Sequence, residues 1–341
     1  MERRDFNIIT KGISNWNMYR NATIMVTGAT GRLGRFILET LVDADLKYNL
    51  NLRVLGLARN HGKAVEVFGE LLEFPNVSFL YQDVNTPIEY EGKVDYVFHT
   101  AGPAAPFDFK TSAVNVLWAH VNGTHNVLEF AVKHDTKKVF YISTVEIYGT
   151  WESDATIKED DMGPLKNLNS RACYPEAKRL CETMLASYKA CYGIEFCGVR
   201  LCHTLAAGIL LDDGRAFAEF IDCALKGEDI VLHSDGSAMR TYTYTPDAVN
   251  AIFMIMERGE SGYMYNVSAN ENLISIRDLA NLIASLSPKN KTKVVFSDEA
   301  SKMPYLPFKL AIMDTSKVRD LGWSPQTNLE DTFRWTIESF L

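Results

Sequence analysis

The run Thr27-Gly28-Ala29-Thr30-Gly31-Arg32-Leu33-Gly34 joins a β-branched stretch, TIMV from Thr23, to a stretch with Leu33, Phe36, Ile37 and Leu41 on one helical stripe. A strand, a tight glycine turn and an amphipathic helix in that order constrain the fold strongly. Glycines at 28, 31 and 34 leave room where the turn is tight, where backbone approaches a pyrophosphate and where helix meets strand. The helix N-terminus adds free N–H groups and the positive end of its dipole. The spacing is G-x-x-G-x-x-G, and it marks a dinucleotide loop in which Gly28, Thr30, Gly31, Arg32 and Leu33 face the ligand.

From Thr23 onward, short β-branched runs alternate with longer helical patterns. The runs are TIMV, LRVLGLA from Leu52, VSFLY from Val77, VDYVFH from Val94 and KVFYIS from Lys138. Such a rhythm predicts an α/β fold, a Rossmann-like doubly wound parallel sheet. Helices are expected from about Thr111 to His134 and from about Cys173 to Tyr192. Beyond Arg200 the pattern turns irregular, with Gly and Asp clusters and shorter helices from Ser275 and Leu329. That predicts a smaller, interleaved C-terminal α/β substrate lobe. The expected organisation is an appended arm over 1–20, a dinucleotide-binding domain over 21–200 with a return segment at about 241–270, and the lobe over 201–240 and 271–341.

Composition narrows the function. A formal charge of -8 argues against a nucleic-acid partner, since such proteins display a basic face. No stretch is long and apolar enough for a membrane span or a signal peptide, so the expectation is a cytoplasmic protein. The six cysteines fall between Cys173 and Cys223 without a C-x-x-C pair, and the seven histidines are scattered. Buried free thiols, with no metal, are the reading.

At the end of the second run stand Ala58-Arg59-Asn60, where an acid would bind the ribose of NAD. Arg59 can instead meet a 2′-phosphate, so NAD and NADP both stay open, with a tilt to NADP. Asp83 and Val84 follow the third run and are placed for the adenine. Ala101 and Gly102 follow the fourth and let backbone pass close to the cofactor.

Tyr174 and Lys178 are four apart on a helical pattern and share a face. Thr144 closes the KVFYIS run, where open α/β sheets place their ligand crevice. An ammonium beside a phenol favours phenolate, and a hydroxyl beside both can share a substrate oxygen. The trio points to hydride chemistry on an alcohol.

TGATGRLG, STVEIYG from Ser143, Val121-Asn122-Gly123-Thr124 and CYPEAKRLCETM from Cys173 together resemble the extended short-chain dehydrogenase/reductase superfamily. Within it they resemble the nucleotide-sugar epimerase/dehydratase group, and most closely UDP-glucuronate decarboxylases. The resemblance implies that Thr144, Tyr174 and Lys178 are catalytic, that Glu146 is an auxiliary acid/base, and that Asn122, Tyr174 and Lys178 touch a recycled nicotinamide cofactor. It also implies a UDP-sugar substrate met by His203, Arg215 and Arg240, and a homodimer built on the two long helices.

Departures from the pattern bear on the product. Val145 stands where dehydratases carry Asp. Residues 311–316 hold no arginine where decarboxylases keep one for the carboxylate, and His203-Thr204-Leu205-Ala206-Ala207 replaces the usual Asn-x-Tyr-Gly-Pro. The expectation is a decarboxylase-like enzyme working through a 4-keto sugar. A 4-epimerase, a 4,6-dehydratase, a 4-keto-sugar reductase and, from another class, a non-catalytic NAD(P)-sensing regulator stay as alternatives.

Overall fold

A computed structural model describes residues 1–151, 155–297 and 312–341. The chain opens with α1 (Arg3–Thr10) and then alternates as its apolar runs demand: β1 (Thr23–Thr27), α2 (Arg32–Tyr48), β2 (Arg53–Ala58), α3 (His61–Phe68), β3 (Val77–Tyr81), β4 (Tyr96–His99). After α4 (Pro106–Thr111) come the two long helices α5 (Ala113–Lys133) and α6 (Cys173–Tyr192), separated by β5 (Lys138–Thr144), and then β6 (Phe196–Leu201). Every residue of β1 and β6 is buried, which is what a sheet covered on both faces requires.

The later elements are shorter: β7 (His203–Leu205), α7 (Ala216–Lys226), β8 (Ile230–Leu232), β9 (Met239–Tyr244), α8 (Thr245–Arg258), β10 (Tyr263–Val267), β11 (Leu273–Ser275), α9 (Ile276–Ser285), β12 (Val294–Phe296), α10 (Ser316–Asp320) and α11 (Leu329–Glu338). The main sheet has seven strands in the order β10-β6-β5-β4-β1-β2-β3, all parallel. Its order reverses between β1 and β4, so a ligand crevice opens at their carboxyl ends.

A small sheet, β11-β9-β7, and a pair, β12-β8, build the second lobe around Phe217, Ile221, Leu279, Ile283 and Phe333. The segment expected to return to the main sheet is divided. β10 does pair with β6, but β9 belongs to the small sheet, because Thr241 and Arg240 pair with Leu273 and Ile274. Residues 298–311 of the expected lobe, among them Ala311, lie outside the described residues.

The first twenty residues are packed in rather than standing off. Ile9, Trp16 and Tyr19 are buried in the same core as α2 and α8. The Asn250 amide donates to Ile9 O and Lys11 O at 2.7 and 2.8 Å, and the Tyr244 hydroxyl donates to the Asp5 carboxylate at 2.8 Å.

Candidate active site

β1 delivers the chain into the glycine loop at Gly28, whose φ of +64° is one that only glycine adopts freely. A Cβ there would lie 2.7 Å from the Ala101 Cα, so the loop and the β4 exit touch backbone to backbone. Gly31 precedes α2 with no side-chain cap, and the first N–H groups of this 17-residue helix point outward. The cradle therefore fits a dinucleotide pyrophosphate. Behind it Thr27 Oγ1 lies 2.8 Å from His99 Nδ1 and accepts from Ala101 N at 3.3 Å, while His99 Nε2 meets Thr124 Oγ1 at 3.2 Å. Burial lowers the His99 pKa to about 3, so a neutral ring pins the exit loop.

Arg59 and Asp83 sit at the tips of β2 and β3, 3.9 Å apart, with the Arg59 side chain 76% exposed. Val84 is buried, and its carbonyl accepts from Asn126 at 2.8 Å. None of Gly28, Thr30, Gly31, Ala101, Arg59, Asp83 and Val84 lines the deep cleft.

That cleft, of about 800 Å³, gathers Arg32, Leu33, Gly102, Thr144, Glu146, Tyr174, Lys178, His203, Arg215 and Arg240. Asn122 is not among its walls. His120, two residues earlier on α5, is, because a helix turns about 200° over two residues. Its Nε2 bonds to Pro103 O at 3.0 Å, and its ring lies 5.3 Å from the Tyr174 ring.

Tyr174 and Lys178 rise on one face of α6, as their spacing requires. Tyr174 is held between Phe109, stacked at 4.7 Å, and His120, and its hydroxyl is within hydrogen-bonding reach of Thr144. Burial raises the phenol pKa and the Glu146 charge raises it further. The Thr144 hydrogen bond and the charges of Arg215 and Arg171 pull the other way. Lys178 is buried with Nζ 6.0 Å from the Tyr174 ring centre, donating to Ile142 O at 2.6 Å, and burial lowers its pKa to about 8.

Sequence reading missed Arg171, which lies one turn before Tyr174. Its guanidinium pairs with Glu146 at 2.8 Å and lies over the Phe109 ring at 4.6 Å. Glu146 thus reaches the cleft paired with a cation. Arg215 is likewise paired with Asp213 at 2.7 Å. His203 is kept uncharged, its pKa lowered to about 3 by burial and by the charges of Arg240 and Arg215. Beneath the site a buried network ties Arg200 to Glu182 at 2.7 Å and to the Tyr148 hydroxyl at 2.8 Å, while the Ser143 hydroxyl donates to Glu182 at 2.5 Å. No helix of the described residues is long and apolar enough to cross a membrane.

Residues 24–268 match the model of the NAD dependent epimerase/dehydratase family. UDP-glucuronic acid decarboxylase 1 of Danio rerio is 30% identical over 319 residues, 93% of this chain and 72% of the relative. UDP-glucuronic acid decarboxylase 3 of Arabidopsis thaliana is 28% identical over 325 residues, 94% of this chain and 89% of the relative. The solved UDP-glucuronic acid 4-epimerase of Bacillus cereus superposes with a TM-score of 0.75 at 20% identity, over 93% of this chain and 98% of its own.

Proposed function

The chain belongs to the NAD-dependent epimerase/dehydratase family, and on that premise we propose that it decarboxylates a UDP-hexuronate through a 4-keto sugar. One observation carries the reading. Thr144, Tyr174 and Lys178 converge in one cleft beside a cofactor cradle, in a chain that aligns with UDP-glucuronic acid decarboxylases over 94% of its length.

Held by the loop from Gly28 to Gly31 and by the β4 exit at Ala101 and Gly102, NAD would supply the hydride acceptor for the sugar C4 and the donor for its return. Tyr174 takes the C4 hydroxyl proton, with Lys178 stabilising the phenolate and Thr144 sharing the sugar oxygen. Once C4 is a ketone, the C5–C6 bond can break. Carbon dioxide leaves, and the bonding electrons move toward the C4 oxygen, which the Tyr174 and Thr144 hydroxyls hold. A proton then adds at C5, and Tyr174 gives its proton back to O4 as C4 is reduced. Neutral His203 and the cations Arg215 and Arg240 supply the diphosphate side of the cleft. Gly28, Thr30, Gly31, Arg59, Asp83, Val84, Ala101 and Gly102 form the adenosine and pyrophosphate track.

A second reading, 4-epimerisation, draws on the Glu146–Arg171 pair, which ties up the extra acid/base group and leaves only the C4 chemistry of Tyr174. Mass analysis of products from a UDP-sugar panel separates the readings. Loss of carbon dioxide from UDP-glucuronate supports decarboxylation, and an isomer of unchanged mass supports epimerisation. Unchanged UDP-glucuronate overturns both for that sugar.

Pairing of two copies across α5 and α6 is also proposed, because Val114, Trp118, Leu180 and Tyr192 expose 64, 55, 47 and 61% of their surface there. A monomeric mass by light scattering would refute it.

A further inference from the structure

Tyr174, Lys178 and Glu182 follow one another at four-residue steps on α6 and share one face of the helix. That face meets the last three residues of β5. Lys178 donates to Ile142 O at 2.6 Å, Ser143 Oγ donates to Glu182 Oε1 at 2.5 Å, and the Thr144 hydroxyl reaches that of Tyr174. The Lys178 and Tyr174 contacts belong to the reacting groups. The contact between Ser143 and Glu182 does not, since Glu182, like Arg200 and Tyr148, is not among the cleft walls.

Ser143 and Arg200 are register partners on the parallel strands β5 and β6, so their side chains leave the sheet on one face, where Glu182 meets both. Arg200 forks onto that carboxylate, Nε to Oε1 at 3.2 Å and Nη2 to Oε2 at 2.7 Å, and its Nη1 donates to the Tyr148 hydroxyl at 2.8 Å. Tyr148 ends the short helical turn Val145–Tyr148 that Thr144 opens, and its own hydroxyl donates to Asn266 Oδ1 on β10 at 2.6 Å. The network therefore holds the chain on both sides of Thr144, at Ser143 and at Tyr148. A buried ion pair carries a desolvation cost that apolar side chains of the same volume avoid, so attraction alone does not account for it. What its hydrogen bonds add is direction.

We propose that Glu182, Arg200 and Tyr148 are positioning residues for hydride transfer: through Ser143 and the Val145–Tyr148 turn they fix the Thr144 hydroxyl against Tyr174 and the sugar oxygen. The assignment rests on the C4 hydride chemistry proposed above, and it holds whether that chemistry ends in decarboxylation or in epimerisation. A displacement of about 1 Å in a group that orients the reactants can cost about 100-fold in rate. Affinity draws on the rest of the cleft and stays.

The test compares Tyr148→Phe and Ser143→Ala with the parent, all loaded with NAD. Each change removes one hydroxyl and leaves the Glu182–Arg200 pair whole. Asn250→Ala, which cuts the bonds to Ile9 O and Lys11 O away from the cleft, is the control for lost stability. Steady-state kcat and KM are measured for a UDP-sugar that the parent turns over, well below every thermal midpoint, with NAD affinity alongside. Both site variants should lower kcat by roughly 10- to 100-fold while KM and NAD affinity stay within about 3-fold, and Asn250→Ala should keep the parent's kcat. If Tyr148→Phe does not fold, Glu182→Asp, which keeps the charge and draws the carboxylate back by one methylene, replaces it with the same expectation. A Tyr148→Phe protein within about 3-fold of the parent, or an equal loss of kcat in Asn250→Ala, would make the network a matter of stability alone and overturn the proposal. A loss confined to Ser143→Ala would place that hydroxyl against the substrate and overturn it as well. A parent that turns over no UDP-sugar would overturn the hydride reading itself, and the proposal with it.

Discussion

Replacing Lys178 with Met should cripple the chemistry in a way that pH partly repairs. The ammonium lies 6.0 Å from the centre of the Tyr174 ring. With an effective dielectric of about 20, two unit charges at that separation interact by about 3 kcal/mol, or about two pKa units on the phenol. Without Lys178 the phenolate population at neutral pH falls about 100-fold, and the hydride-transfer rate falls with it. The acid limb of the pH–rate profile moves about two units upward. The parent also has a second limb. Burial lowers the Lys178 pKa to about 8, so the charge is present below that pH and lost as pH rises through it. Activity of the parent therefore levels off on the alkaline side, whereas the methionine variant goes on gaining. The assay is stopped-flow absorbance of the reduced nicotinamide after mixing NAD-loaded protein with UDP-glucuronate, from mildly acidic to alkaline pH. NAD affinity and thermal midpoint are measured alongside, because Lys178 also holds Ile142 O. A variant within about 5-fold of the parent, or one whose acid limb has not moved, would refute the electrostatic role.

Tyr174→Phe should keep NAD affinity within about 2-fold while abolishing turnover, and substantial residual turnover would assign the proton transfer elsewhere. Gly28→Ala meets both a left-handed φ and the Ala101 backbone, so NAD affinity measured by fluorescence should fall by more than roughly tenfold. Glu182→Gln leaves Arg200 without its carboxylate at a site where the two side chains are 12% and 7% exposed; a loss of about 3–5 kcal/mol is expected from urea unfolding. Asp83→Asn removes the acid beside Arg59 and should shift the ratio of NADP to NAD affinity upward in competitive titration.

The first five strands of the main sheet were legible as short apolar runs and α2 from its apolar stripe, two periods that local sequence carries openly, whereas β6, FCGVRL, was not singled out as a run. Even the late strand β10 showed itself at Tyr263–Val267. The glycine loop and the four-residue spacing of Tyr174 and Lys178 were legible for the same reason, since a single turn or a single helix brings those residues together. What stayed hidden depends on contacts between distant segments. The Glu146–Arg171 pair joins residues 25 apart, and the Arg32–Thr204 contact joins residues 172 apart. Asn122 was singled out within a recognisable tetrapeptide, whereas the helix phase of α5, set by packing against α6, turns His120 to the cleft instead. The N-terminal residues read as an arm because Ile9, Trp16 and Tyr19 have no common period. Their burial is dictated by the groove they fill beside α8.

The strand order has a consequence for how such a chain is made. During synthesis β6 is complete at Leu201, yet its outer partner β10 arrives only at Tyr263, after α7, α8 and much of the small lobe have been made. Throughout that interval the nascent sheet carries a raw apolar border, Phe196 to Leu201, of the kind that recruits foreign strands. A polypeptide arrested or trimmed anywhere between 202 and 262 would keep that border for good. A deletion that takes β10 away together with the residues before it thus uncovers the β6 edge of the main sheet.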